Sequence, residues 1–183
     1  MQQDVYHSSY KSGLLELAPI SSPAYKTPWV FAAKDMLMSV IFLTNKQKNR
    51  GNFSYWKGRN PETGKVTIVE SYSGAFSDLY EGVSGSIYVL PGKTFKEGLT
   101  VWPEEVVSDV AVPIIQEIYI ENILDHLNKL HKTGDIEMYL YDNKPEWLQN
   151  YIKGLFNHTD LYDGKFVEHY KKVNKQLFGE TAG

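Results

Sequence analysis

Five histidines and no cysteine set the first limits on the chemistry this chain can perform. Without thiols there is no disulfide, no thiolate metal site and no cysteine nucleophile. His126 and His131 are five residues apart on one expected helix. Two imidazoles share a helical face at i, i+4, and no HExxH run is present, so both histidines read as exposed polar positions and no metal site is expected. Neither a Walker A run nor GxGxxG occurs, and the glycines of residues 81–86 lead into a strand instead of opening a helix. Phosphate binding at a glycine-rich helix start is therefore not expected. GxSxG is absent as well, and the sequence assigns no base to Ser39, Ser84 or Ser108.

One stretch could bind nucleic acid. Residues 46–59, KQKNRGNFSYWKGR, interleave five cations with Phe53, Tyr55 and Trp56, a pattern in which cations follow phosphates and rings stack bases. A solvated hairpin whose tyrosines cover a sheet has the same composition, and the surrounding chain is acidic, which favours the hairpin. The aromatic helix expected from Trp147 onward is read as core packing.

The elements that must position these residues follow from periodicity. Residues 4–10 alternate as a strand that carries His7, and residues 14–17 form a second short segment before Pro19. Pro23 and Pro28 mark residues 21–28 as a loop leading to a buried strand at residues 29–33. The run MLMSVIFL, apolar except for Ser39, is expected to be a core helix ending near Asn45. NFSYWKGR and KVTIVESY form a hairpin across the turn at residues 60–64, and residues 75–80 form one or two helical turns. GSIYVLP, closed by Pro91-Gly92, is the most strand-like run and is placed at the centre of a sheet. EEVVS and VPIIQEIYIE are extended. Ile123, Leu124, Leu127 and Leu130 then share a helical face that stops at Gly134. Asn143 and Pro145 start a second helix, and a third is expected at residues 165–178.

Strands precede helices, with no repeat or long linker, which implies one α+β domain: a sheet-rich part at residues 1–122 and a mostly helical part at residues 123–183. At 183 residues and 42% hydrophobic content the chain can bury its own core. A net charge of -3 provides no general attraction for nucleic acid or anionic lipid. The N-terminus lacks the basic and apolar signature of a signal peptide and no apolar run could span a bilayer, so a soluble, cytoplasmic protein with no membrane partner is expected.

Three short motifs in order carry a resemblance. Tyr6-His7-Ser8-Ser9, then Val30-Phe31-Ala32-Ala33 before an apolar helix, then residues 85–91 followed by Phe95 and Glu97, resemble the ADP-ribosyltransferase superfamily, and most nearly small bacterial members such as the rifampin ADP-ribosyltransferases. The resemblance covers about the first two thirds of the chain. It implies a split, mostly antiparallel sheet with a C-terminal helical extension, with NAD as substrate held in a cleft between the His7 and Phe31 strands. It further implies that His7 donates to the nicotinamide ribose hydroxyl, that Ser8, Ser9 and Ala32 line the cofactor site, that Phe31 stacks on the nicotinamide ring, and that Glu97 is the acidic catalytic residue, whose carboxylate stabilises the ribose cation. Glu104, Glu105 and Asp109 fall in the same stretch and compete for that last role. Ser8 stands where the family usually has Gly, and Phe31 where it usually has Tyr. The implied function is transfer of ADP-ribose from NAD to an acceptor that is a small molecule, nucleic acid or protein. The alternative is a catalytically inactive binding module on the same scaffold, of the kind used in phage or host interaction.

Overall fold

The computed structural model describes residues 3–22, 25–49, 54–100 and 102–148. The expected helices within residues 149–183 lie outside the described residues, and so does most of the proposed C-terminal extension.

The main sheet is built on β1 (Val5–Ser9), β4 (Tyr25–Ala33), β7 (Gly85–Leu90), β8 (Glu105–Ser108) and β10 (Gln116–Ile120), with β3 (Ile20–Ser22) at one end. Its order is β10-β7-β1-β4-β3, and β8 pairs with β4 off that path; all pairings are antiparallel. As its composition implies, β7 is central and buried at every position. A second sheet joins β5 (Tyr55–Arg59), β6 (Val66–Glu70) and β11 (Ile136–Tyr139) in the order β11-β6-β5, antiparallel at the β5-β6 hairpin and parallel at β6-β11. A short ribbon pairs β2 (Glu16–Leu17) with β9 (Val112–Pro113). The result is a mixed α+β fold of mostly antiparallel sheets with a few helices. None of the helices among the described residues is long and apolar enough to cross a membrane.

Two hydrophobic clusters organise these layers. The larger joins Met38, Val40, Ile41, Tyr55, Ile68, Leu79, Ile87, Ile123, Leu127 and Ile136. It therefore runs across α1 (Met36–Val40), α2 (Ala75–Tyr80), α3 (Ile123–Thr133) and both sheets. Among the described residues, α3 and β11 share this core with the first half of the chain. The smaller cluster, with Val5, Val30, Ala32, Tyr88, Leu90 and Val106, packs elsewhere on the main sheet.

Two expectations are corrected. Residues 25–28 are not loop: β4 begins at Tyr25 and runs through Pro28. Proline is tolerated there because Pro28 lies where the pairing with β3 shifts register between Ile20↔Trp29 and Ser22↔Tyr25, and because β8 pairs only from Val30 onward. The core helix is also shorter than expected. Asp35 caps α1 by accepting from the Leu37 amide at 2.8 Å. At the other end the hydroxyls of Tyr55 and Tyr80 each donate to the Ile41 carbonyl at 3.0 Å. These buried phenols satisfy an oxygen at the end of the helix, which stops at Val40 instead of near Asn45. α3 follows its sequence signals, with Asn122 accepting from the Asp125 amide and Gly134 closing the helix at φ 79°.

Chain crossings set one steric demand. A Cβ on Gly92 would lie 2.1 Å from the Gln3 carbonyl oxygen, a backbone atom at the entry to β1. Gly92→Ala is expected to destabilise the fold by about 2 kcal/mol or more, because main chain must move; urea unfolding should show a lowered midpoint, while Gly64→Ala, with open space around it but φ 70°, should cost about 1 kcal/mol.

Candidate functional site

The site arises where β1 and β4 part. They pair only at Tyr6↔Ala33 and then diverge. The imidazole of His7 enters the gap, with Nδ1 2.7 Å from the Phe31 carbonyl oxygen. A carbonyl only accepts, so Nδ1 carries the proton. Burial lowers the His7 pKa from its ordinary value, outweighing that hydrogen bond. The ring is therefore neutral near pH 7 and Nε2 offers a lone pair. In that tautomer the free ring nitrogen can accept a hydrogen bond and not donate one.

A cavity of about 170 Å³ occupies the fork, lined by Tyr6, His7, Ser8, Phe31, Ala32, Ala33, Ser39, Phe42, Trp102 and Glu105. Four of the six residues expected from the sequence (His7, Ser8, Phe31 and Ala32) thus meet at one pocket. Ser9 does not line it; it pairs with Ser86 at the far end of β1, and its hydroxyl accepts from the Lys11 amide at 3.1 Å. Glu97 does not line it either. Its carboxylate is 70% exposed and binds the Lys34 ammonium at 2.5 Å.

The carboxylate at the pocket is Glu105, the first residue of β8, paired with Ala33. Burial raises its pKa, and a hydrogen bond with Thr100 opposes that rise. Its neighbour Glu104 is committed elsewhere. Arg59 holds both Glu104 oxygens at 2.9 and 3.0 Å and reaches Asp35 at 2.8 Å. This network ties β5, the α1 cap and the start of β8 together, and it fixes the backbone on which Glu105 stands.

Ser39, Phe42 and Trp102 are pocket residues that motif reasoning did not assign. Ser39 is 2% exposed, and among the described residues nothing hydrogen-bonds to its hydroxyl. A buried hydroxyl without a partner costs about 1–3 kcal/mol. Its signal was present in the sequence as the one polar interruption of MLMSVIFL. Phe42 and Trp102 meet edge to face at 4.9 Å and form an aromatic wall.

In the basic aromatic stretch the described cations meet partners within the chain: Lys48 binds Asp78, Arg59 binds acids, Lys46 lies over Tyr10, and Lys57 lies over Phe42 and Tyr55. Arg50 and Phe53 lie outside the described residues. No group of three metal-ligating side chains occurs among the described residues. Comparison with protein-family models, curated proteins and solved structures finds no match for the chain.

Two measurements examine the site without a ligand. Ser39→Ala removes an orphaned hydroxyl and places the better helix former in α1, so stability should hold or rise by up to about 1 kcal/mol, read as an unchanged or raised melting temperature; a clear fall would mean the hydroxyl is structurally bonded. For His7, the folded pKa lies below the unfolded value of 6.5. The unfolded chain then binds more protons, and stability falls as pH drops below about 6.5. In melting curves between about pH 7 and pH 5, His7→Asn should lose this component while that of His126, also lowered by burial, remains.

Proposed function

We propose that the fork pocket binds the nicotinamide end of NAD and that the chain transfers ADP-ribose from it to an acceptor, on an ADP-ribosyltransferase-like fold. The observation that carries this reading is the meeting of a neutral imidazole, a stacking ring, an orphaned hydroxyl and a carboxylate of raised pKa around one cavity. Its volume, about 170 Å³, suits one substituted ring: cavities near 150 Å³ accept benzene. The rest of a dinucleotide extends from the mouth across the protein surface.

Each lining group has work to do in that chemistry. Phe31 stacks on the ring and excludes water from one face. The Ser39 hydroxyl, lacking a protein partner, bonds the carboxamide. Nε2 of His7 accepts from a ribose hydroxyl and orients the sugar. As the carbon–nitrogen bond breaks, its electron pair leaves with nicotinamide and positive charge develops on the ribose, which the Glu105 carboxylate stabilises. The acceptor supplies an electron pair for the new bond to the same carbon, and its proton passes to Glu105. A raised pKa suits that second task, since the carboxylate is a stronger base than an exposed one. Ser8 in place of the family's usual Gly narrows the β1 side of the cavity, and Phe31 keeps the stacking face of the usual Tyr without its hydroxyl.

Calorimetry and nicotinamide release test the reading together. The wild type should bind NAD, and Ser39→Ala should weaken nicotinamide binding about tenfold. Glu105→Gln should lower nicotinamide release about a hundredfold or more with little change in NAD affinity, because the charge acts mainly in the transition state. Glu97→Gln should release nicotinamide like wild type. NAD binding without release by any protein would favour the inactive binding module; no NAD binding at all would end the proposal.

A further inference from the structure

Three rings on β4 form a cluster that neither core uses. Tyr25, Trp29 and Phe31 are mutual neighbours, with centroids 5.4 Å (Tyr25–Trp29), 5.8 Å (Tyr25–Phe31) and 6.1 Å (Trp29–Phe31) apart. All three are only partly buried. Neither hydrophobic cluster includes them, even among the partly buried residues packed against it. Large rings normally repay their ordering by burial in a core; here each keeps open surface, and one of them, Phe31, is also a wall of the fork pocket.

Continuity with the pocket gives the cluster its meaning. Trp29 and Phe31 are two residues apart on one strand, so they project from the same face of β4, and Trp29 continues the surface that Phe31 begins. An acceptor must approach the reacting ribose carbon to within about 3–3.5 Å, and that carbon is bonded to the ring stacked on Phe31. The acceptor is therefore held within about one ring's width of Phe31, which is where the Trp29 indole lies. The adenine of the same dinucleotide is separated from that point along the molecule by two riboses and a diphosphate, whereas the acceptor must reach the ribose carbon itself. The cluster has no ionised side chain, so it offers faces on which a flat ring stacks and no charge that would hold a phosphate.

Resting on the reading of the pocket given above, we infer that Trp29, supported by Tyr25, is the acceptor subsite and selects acceptors that present a planar, uncharged aromatic ring. Trp29 acts by stacking and positions the acceptor's nucleophile beside the ribose carbon.

The test uses the full chain with NAD and three probe acceptors: guanosine, 1-naphthol and, as a non-aromatic control, cyclohexanol. Mass spectrometry measures ADP-ribosylated probe relative to free ADP-ribose, and calorimetry measures binding of NAD and of nicotinamide mononucleotide. Wild type should favour the aromatic probes over cyclohexanol. Trp29→Ala should lower the ratio of transfer to hydrolysis for them about tenfold, and Trp29→Phe, which retains a ring, should recover most of it. Equal ratios for wild type and Trp29→Ala would overturn the inference while leaving nicotinamide release, and with it the reading of the pocket, intact. If Trp29→Ala instead weakens NAD but not nicotinamide mononucleotide, adenine occupies the face and the acceptor assignment is wrong. Absence of any nicotinamide release, with Trp29-dependent binding of guanosine or 1-naphthol in calorimetry, would refute the transfer reading, and with it the acceptor role, leaving only an aromatic binding face.

Discussion

The hydrogen bond from the His7 ring to the Phe31 carbonyl holds the architecture of the site. Two adjacent antiparallel strands normally close on each other through successive main-chain bonds. Here β1 and β4 make a single pair at Tyr6 and Ala33, and a side chain takes over where the ladder ends. An imidazole is longer than the bond it replaces, so the strands stay apart and the space between them becomes a pocket. The same bond fixes the proton on Nδ1 and leaves Nε2 as an acceptor, so one interaction sets the width of the fork and the polarity of its chemistry.

Against this opening, polar groups elsewhere are closely satisfied. Glu137 accepts from Asn60, Thr63, Thr67 and Tyr139 and pins the turn between β5 and β6. Glu117 accepts from the Gly13 amide, Ser86 and Tyr88, securing the loop after β1. Glu70, 3% exposed, takes the amides of Phe76 and Tyr141. In each case buried or half-buried polarity is met by the protein itself, as folding requires. Ser39 departs from that rule at the pocket wall, and departures of this kind concentrate where a ligand is to supply the missing partner.

Local pattern made the strands and capped helices legible. Residues 85–90 are β-branched or aromatic along most of their length, and Asn122 with Gly134 brackets α3, so neighbours in sequence carried enough information. The β5-β6 hairpin was legible from its turn for the same reason. The extent of β4 was not, because the strand tolerance of Pro28 depends on where β8 begins to pair, a fact about residues about eighty positions away. The length of α1 was hidden too, since it is ended by the phenols of Tyr55 and Tyr80, which arrive from other elements. The motif residues His7, Ser8, Phe31 and Ala32 line the fork, but motif order could not choose which carboxylate between β7 and β9 reaches it.

That choice depends on strand geometry together with one cation. Glu104 and Glu105 are chemically equivalent neighbours, yet Glu104 ends the turn closed by the Glu105 amide on the Trp102 carbonyl at 3.1 Å while Glu105 opens β8, so their side chains leave the backbone in different directions. One therefore turns toward the pocket and the other toward β5, where Arg59 waits with Asp35 already beside it. Glu104, facing the Arg59 guanidinium, is bonded through both oxygens. A carboxylate facing a half-buried cavity is desolvated and its pKa rises. The pair divides into a bonded anchor and a desolvated carboxylate without any difference in residue type. Because the Arg59 network grips the residue next to Glu105, the anchor also limits how far Glu105 can move, and the second sheet supports the wall of the pocket formed on the first.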